Sequence, residues 1–165
     1  MFRRLLFLLT AIILSLATTV GQDVEISRRK PTPKQPASTQ ENLSRLSDDK
    51  LRDKATAYYE NKDYKNAFKY YQELANRGDV EAQYYLGNMY RSGEGVKKNY
   101  STAVDLYYKS AEKGYAKAQF SLGLAYLHGE GVPQSESVGI KWIQKAARQG
   151  EYFSKTFLEV NGYSW

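Results

Sequence analysis

Ala82-Gln-Tyr-Tyr-Leu-Gly-Asn-Met-Tyr-Arg-Ser-Gly-Glu-Gly-Val96 is written a second time, in its fixed positions, as Ala118-Gln-Phe-Ser-Leu-Gly-Leu-Ala-Tyr-Leu-His-Gly-Glu-Gly-Val132. The offset of 36 residues holds beyond this stretch and carries Gly114 onto Gly150. A fixed period of this size marks a solenoid, in which no unit buries its apolar face alone and each stacks on the next. The expected fold class is all-α, a solenoid of about three helix–loop–helix units. Such an architecture offers a surface for binding rather than a closed pocket for chemistry.

The residues inside one unit support this reading. Ala82, Leu86 and Tyr90 lie at helical spacing, as do Ala118, Leu122 and Tyr126. Ala103, Tyr107 and Ala111 repeat the pattern in the second half of the unit, echoed by Gly139, Ile143 and Ala147. Between the halves, the paired glycines of Gly93-Glu-Gly95 and Gly129-Glu-Gly131 interrupt any helix. Gly114 and Gly150, with Lys113 and Arg148 near them, supply the stop signals of the second helix. A glycine inside a helix costs about 1 kcal/mol against alanine. Gly87 and Gly123 are therefore expected where two helix backbones approach, opposite Ala103 and Gly139. Tyr90, Tyr107 and Tyr126 are expected to fill the core.

A shortened copy comes first. Ala67, Tyr71, Ala75 and Gly78 stand 36 residues before Ala103, Tyr107, Ala111 and Gly114. Its two helices are joined only by Asn61-Lys-Asp-Tyr64, without the glycine loop. After Gly150 a partial unit places Ser154 and Leu158 where Ala118 and Leu122 stood, but Glu159 replaces the glycine. The expected repeat domain covers 50–165, with units near 51–78, 82–114 and 118–150 and a C-terminal cap over 151–165.

Leu-Gly-x-x-Tyr-x-x-Gly-x-Gly-Val, followed by Ala103-x-x-x-Tyr-x-x-Ser-Ala-Glu-Lys-Gly114, resembles the Sel1-like repeat, a relative of the tetratricopeptide repeat. The likeness is most specific over Ala82–Gly150, and the unit before it is closer to a tetratricopeptide repeat. The resemblance implies a right-handed α-superhelix used as an adaptor in protein–protein complexes, with no shared catalytic residues. Some members carry a disulfide in each repeat. This chain has no cysteine, which weakens any transfer of the activities claimed for that branch, such as action on β-lactams or cell-wall material.

The N-terminus has the pattern of a secretory signal. Arg3 and Arg4 precede the apolar run Leu5–Ala17, and small residues follow, with cleavage acceptable after Thr19 or Gly21. Two outcomes fit: a signal peptide over 1–21 that is removed, or an uncleaved signal anchor at the short end for spanning a bilayer. The expected location is periplasmic or secreted, and any membrane contact would run through the retained segment. Residues 22–49, basic and proline-rich at Arg28-Arg-Lys-Pro-Thr-Pro-Lys-Gln-Pro36, read as a disordered linker with too little apolar material to offset its ordering entropy.

Chemistry has little to work with. His128 is the single histidine, and Ser92 takes its place one unit earlier. One histidine without cysteine cannot assemble a Cys–His pair or the usual zinc site, and no serine lies in a nucleophile-elbow pattern. Glu94 and Glu130 are expected as solvated loop charges one unit apart. No cofactor or metal is expected. The formal net charge of +6 falls to about +4 without Arg3 and Arg4 and is dispersed along the chain, so nucleic acid is not an expected partner.

First helices line the concave side in this architecture. With Leu86, Gly87 and Tyr90 turned inward, the outer face of that helix carries Tyr84, Asn88 and Arg91. One period on it carries Phe120, Leu124 and Leu127, and in the shortened unit Arg52, Thr56 and Tyr59. The partner-binding candidates are Tyr59, Tyr84, Asn88, Arg91, Phe120 and Leu124, facing a protein or peptide. The segment from Tyr152 to Trp165 is an alternative cover for the apolar end. A glycan stacked on the tyrosines, or an enzyme acting on cell wall or β-lactam, are the competing readings.

Overall fold

Capping residues and glycines divide the chain into helices of uniform length in the computed structural model, which describes residues 42–165. Six helices of 13 residues follow one another: α1 (Asp48–Glu60), α2 (Tyr64–Asn76), α3 (Val80–Ser92), α4 (Tyr100–Glu112), α5 (Ala116–His128) and α6 (Glu136–Arg148). A shorter α7 (Tyr152–Val160) closes the series. No strand occurs among the described residues, and none of their helices is long and apolar enough to cross a membrane. The segment 1–21 and most of the expected linker lie outside the described residues.

Side-chain oxygens of Ser47, Asp63, Asp79, Asn99 and Ser135 each accept a backbone N–H in the first turn of their helix, satisfying donors that have no partner within it. At the other end, α3 and α5 stop where Gly93 and Gly129 adopt the left-handed conformation, with φ of 80° and 70°.

Consecutive helices form hairpins, and the hairpins stack. Within a hairpin the helix glycines make the close approach possible. A Cβ on Gly87 would lie 2.6 Å from the Tyr107 ring and 3.3 Å from the Ala103 carbonyl oxygen. A Cβ on Gly123 would meet the Gly139 carbonyl oxygen at 2.8 Å. Between hairpins the core is shared. Leu51, Ala67, Tyr71 and Leu74 of the first unit pack with Leu86 and Met89 of the second. Ala103, Tyr107 and Ala111 of the second pack with Ala118 and Leu122 of the third. Ile140, Ile143 and Ala147 then pack with Leu158 of α7. Each unit therefore completes its neighbour's core, which is the physical content of a solenoid.

The compact unit starts earlier than the boundary expected at residue 50. Asn42 opens a 3₁₀ turn at Leu43–Arg45, and Leu43 and Leu46 pack against the first core cluster. The Arg77 guanidinium holds this turn by donating to the carbonyls of Leu46 at 2.7 Å and Leu43 at 3.0 Å. Leu43 and Leu46 give residues 42–49 apolar side chains to bury, and Ser47 caps α1. Neighbouring Asp48 and Glu73 raise the Arg77 pKa further.

Glu94 also departs from expectation. It is half-buried and accepts a hydrogen bond from the Tyr59 hydroxyl at 3.0 Å. The loop of the second unit is thus tied to α1 of the first.

Candidate binding groove

The odd-numbered helices α1, α3, α5 and α7 contribute side chains to one groove of about 650 Å³. All six candidate residues, Tyr59, Tyr84, Asn88, Arg91, Phe120 and Leu124, line it. Helical spacing brings them together. Tyr84, Asn88 and Arg91 occupy one stripe of α3, and Phe120 and Leu124 the matching stripe of α5. Thr56 and Arg52 sit instead beside a smaller hollow with Tyr71, Asp79 and Tyr85, where the Arg52 guanidinium pairs with Asp79 at 2.6 Å.

Two placements differ from the spacing argument. Leu127 is absent from the groove, because its side chain packs against α6, where a Cβ on Gly139 would lie 2.8 Å from the leucine Cγ. The alanine at the equivalent place, Ala103, has become Gly139 and left room for it. The C-terminal segment both covers and extends the groove. Phe157 and Tyr163 pack in the last core cluster with Phe120, Leu124 and Leu127. Phe153, 65% exposed, stacks on Phe120 at 6.5 Å and becomes part of the lining.

At the polar end, a hydrogen bond orients Asn88. The Tyr107 hydroxyl donates to Asn88 Oδ1 at 2.7 Å. Asn88 thus has its carbonyl engaged, and both its amide N–H groups are left as donors. Burial pushes the Tyr107 hydroxyl well above the ordinary phenol range, and the Arg91 charge opposes this. Tyr59, at the neighbouring edge, is raised by burial and then by its bond to Glu94. Both hydroxyls therefore act as fixed neutral donors.

Spacing overlooked part of the lining. Lys117, Ser121, Ala125 and His128 complete the stripe on α5. Lys117, Ser121 and His128 stand three or four residues from Phe120 or Leu124, and Ala125 four from Ser121, so helical periodicity contains them. His128 and Ser92, which hold equivalent places in successive units, also line the groove. Glu130 and Glu151 bring negative charge, although Glu151 is engaged by the N–H of Ser154 at 2.6 Å. The groove thus combines N–H donors from Asn88, Arg91 and Lys117 with an apolar wall from Phe120, Leu124 and Phe153. It can hold a ligand carrying carbonyl or carboxylate oxygens beside an apolar group.

The Sel1 repeat model matches residues 57–79, 80–115 and 116–151, more than half of the chain. A crystal structure of a Sel1 repeat protein from Oxalobacter formigenes is similar with a TM-score of 0.63 and 34% identity, over 71% of this chain and 47% of that one. A protective antigen of uropathogenic Escherichia coli displaying an SLR fold is similar with a TM-score of 0.53 and 32% identity, over 64% of this chain and 26% of that one. Cysteine-rich protein B of Helicobacter pylori shares the fold with a TM-score of 0.54 at 20% identity, over 70% of this chain and 99% of that one. The match thus spans less than half the length of the first two structures. No curated protein matches this chain.

Proposed function

This chain belongs to the Sel1 repeat family, and from that premise we propose that it is an exported adaptor holding an extended polypeptide segment in the groove along its first helices. Sel1 repeat proteins generally mediate protein–protein interaction and are typically adaptors without catalytic activity. The observation that carries the reading is the pairing of oriented donors with an apolar wall. The Asn88 amide, set by Tyr107, and the Arg91 guanidinium stand along the same groove as Phe120 and Leu124. Backbone carbonyls of a bound segment would meet the donors, and an apolar side chain would lie on the wall. The basic and apolar start of the sequence supports a site of action in the bacterial envelope or beyond it.

The test is site-specific photocrosslinking. A photoreactive residue replacing Tyr84 or Leu124 should capture a polypeptide from envelope extract, and the double change Asn88→Ala with Arg91→Ala should weaken capture by about tenfold or more. Crosslinks that survive the double change undiminished would remove this face from consideration. Hydrolysis of a chromogenic β-lactam or a muropeptide that disappears with one groove substitution would instead make the protein an enzyme. Retention on peptidoglycan lost in the same double variant would make the ligand a glycan.

A further inference from the structure

The second helices carry a different kind of surface. Val138, Lys141, Trp142, Lys145 and Arg148 of α6 surround a shallow depression of about 440 Å³. Lys145 Nζ lies 4.5 Å from the centre of the Trp142 ring. Tyr108 of α4, 47% exposed, packs T-shaped with that ring, the ring centres 6.1 Å apart. None of the three cations has an anionic partner among the described ion pairs.

The repeat itself shows that the scaffold does not require this charge. The places of Lys141, Lys145 and Arg148 are taken by Asp105, Lys109 and Glu112 one unit earlier, and by Lys69, Glu73 and Asn76 in the first unit. The buried places keep their character over the same interval: Ala103, Tyr107 and Ala111 become Gly139, Ile143 and Ala147, all buried. Two anionic places have therefore become cationic on the one helix that also presents an indole. We infer that the outer face of α6 is a second docking surface, for an acidic polypeptide segment in extended form.

Charge complementarity and spacing support this occupant. Four residues along a helix advance about 6 Å, close to the roughly 6.6 Å between alternate side chains of an extended chain. Acidic groups at alternate positions can thus reach Lys141 and Lys145 together, while the segment's apolar parts cover Trp142 and Val138. The groove is lined by first helices and their loops, whereas this patch belongs to α6 with Tyr108 of α4 at its margin. The two surfaces share no residue, so each can be occupied independently, as bridging two polypeptides requires.

The probe is a fluorescent ten-residue peptide of alternating Glu and Thr, titrated against the full chain, with a Gln-for-Glu peptide as control. The expected result is binding at about 50 mM salt that weakens at about 300 mM. Binding should fall about tenfold or more in Lys141→Asp with Arg148→Glu, which restores the pattern of α4. It should persist in Lys97→Glu with Lys98→Glu, an equal change of net charge elsewhere, and in the groove variant Asn88→Ala with Arg91→Ala. With Trp165→Phe in the background, Trp142 emission should change on binding. An equal loss in the Lys97 and Lys98 variant, or no binding by the unaltered chain, would overturn the proposal. So would loss only in the groove variant, which would place the peptide in the groove instead. Vesicles containing about one-third phosphatidylglycerol provide the last arm: α6-dependent binding to them, without peptide binding, would make the ligand a bilayer.

Discussion

The backbone of Gly131 lies against that of Tyr100, so closely that a Cβ on the glycine would stand 2.5 Å from the tyrosine carbonyl oxygen. The same relationship joins Gly95 to Tyr64, where the distance would be 2.3 Å. In both cases the loop of one unit rests on the first residue of the preceding unit's second helix. The second glycine of each Gly-Glu-Gly loop therefore sets the register between units. Gly131→Ala must relieve both this overlap and a φ of +76°, and it should destabilise by at least about 2 kcal/mol. Gly114→Ala faces a φ of +91° but open space, and should cost about 1 kcal/mol. Urea unfolding of the two variants compares them. Equal losses would mean that the loop contact contributes nothing.

How much of this was legible in the sequence depends on what each residue touches. Gly87 opposite Ala103 and Gly123 opposite Gly139 could be read, because both partners belong to one hairpin and a glycine inside a helix demands a reason. The role of Gly95 and Gly131 could not. Breaking a helix accounts for a loop glycine locally, and the Tyr64 and Tyr100 backbones beneath them come from another unit. The groove stripe was readable as far as strict repetition holds. It failed at Leu127, which follows the periodicity of Arg91 but turns into the space freed by Gly139, and at Phe153, which lies beyond the last complete unit.

Gln119 and Gln83 occupy the same place in successive units but have different partners. Gln119 donates to the Ala111 carbonyl at 3.1 Å and accepts from Gln149 Nε2 at 2.7 Å. Gln83 donates to the Ala75 carbonyl at 3.4 Å, and its buried Oε1 has no partner. The residue that would supply one, at the place of Gln149, is Lys113, whose ammonium goes to the Gly78 carbonyl at 3.0 Å. Gln119→Ala should therefore cost about 1–2 kcal/mol and Gln83→Ala less than about 1 kcal/mol. Thermal unfolding of both variants would show the difference, and a larger loss at Gln83 would contradict this account of the ladder.

Alkaline stability follows from the tyrosines. Tyr59, Tyr107 and Tyr115 all have their pKa raised, chiefly by burial, with Glu94 adding to the shift at Tyr59 and Glu81 at Tyr115. Above about pH 10 the unfolded chain loses phenolic protons that the folded chain keeps. The folded state then binds more protons than the unfolded one, so stability falls as pH rises. The contribution is complete below about pH 10 and is lost above it. Absorbance at 295 nm should show these rings ionising together with loss of helical circular dichroism. Ionisation of the full tyrosine complement at the ordinary phenol pKa, with the helices intact, would contradict the burial argument.

Leu127 and Gly139 offer the sharpest test of how a changed repeat position redirects its neighbour. Alanine in place of a mid-helix glycine normally adds up to about 1 kcal/mol of stability through propensity. At Gly139 the added Cβ would stand 2.8 Å from Leu127 Cγ and 2.7 Å from the Gly123 carbonyl oxygen. Overpacking of this kind costs about 1–3 kcal/mol, so Gly139→Ala should destabilise on balance. Leu127→Ala alone should also destabilise, because it removes a side chain from the last core cluster. Combined, the two should cost less than their sum by about 1 kcal/mol, since the leucine no longer obstructs the methyl group. The Gly123 carbonyl stays where it is, so recovery should be partial. Simple additivity in a double-mutant cycle would show that Leu127 is not held by the space that Gly139 leaves.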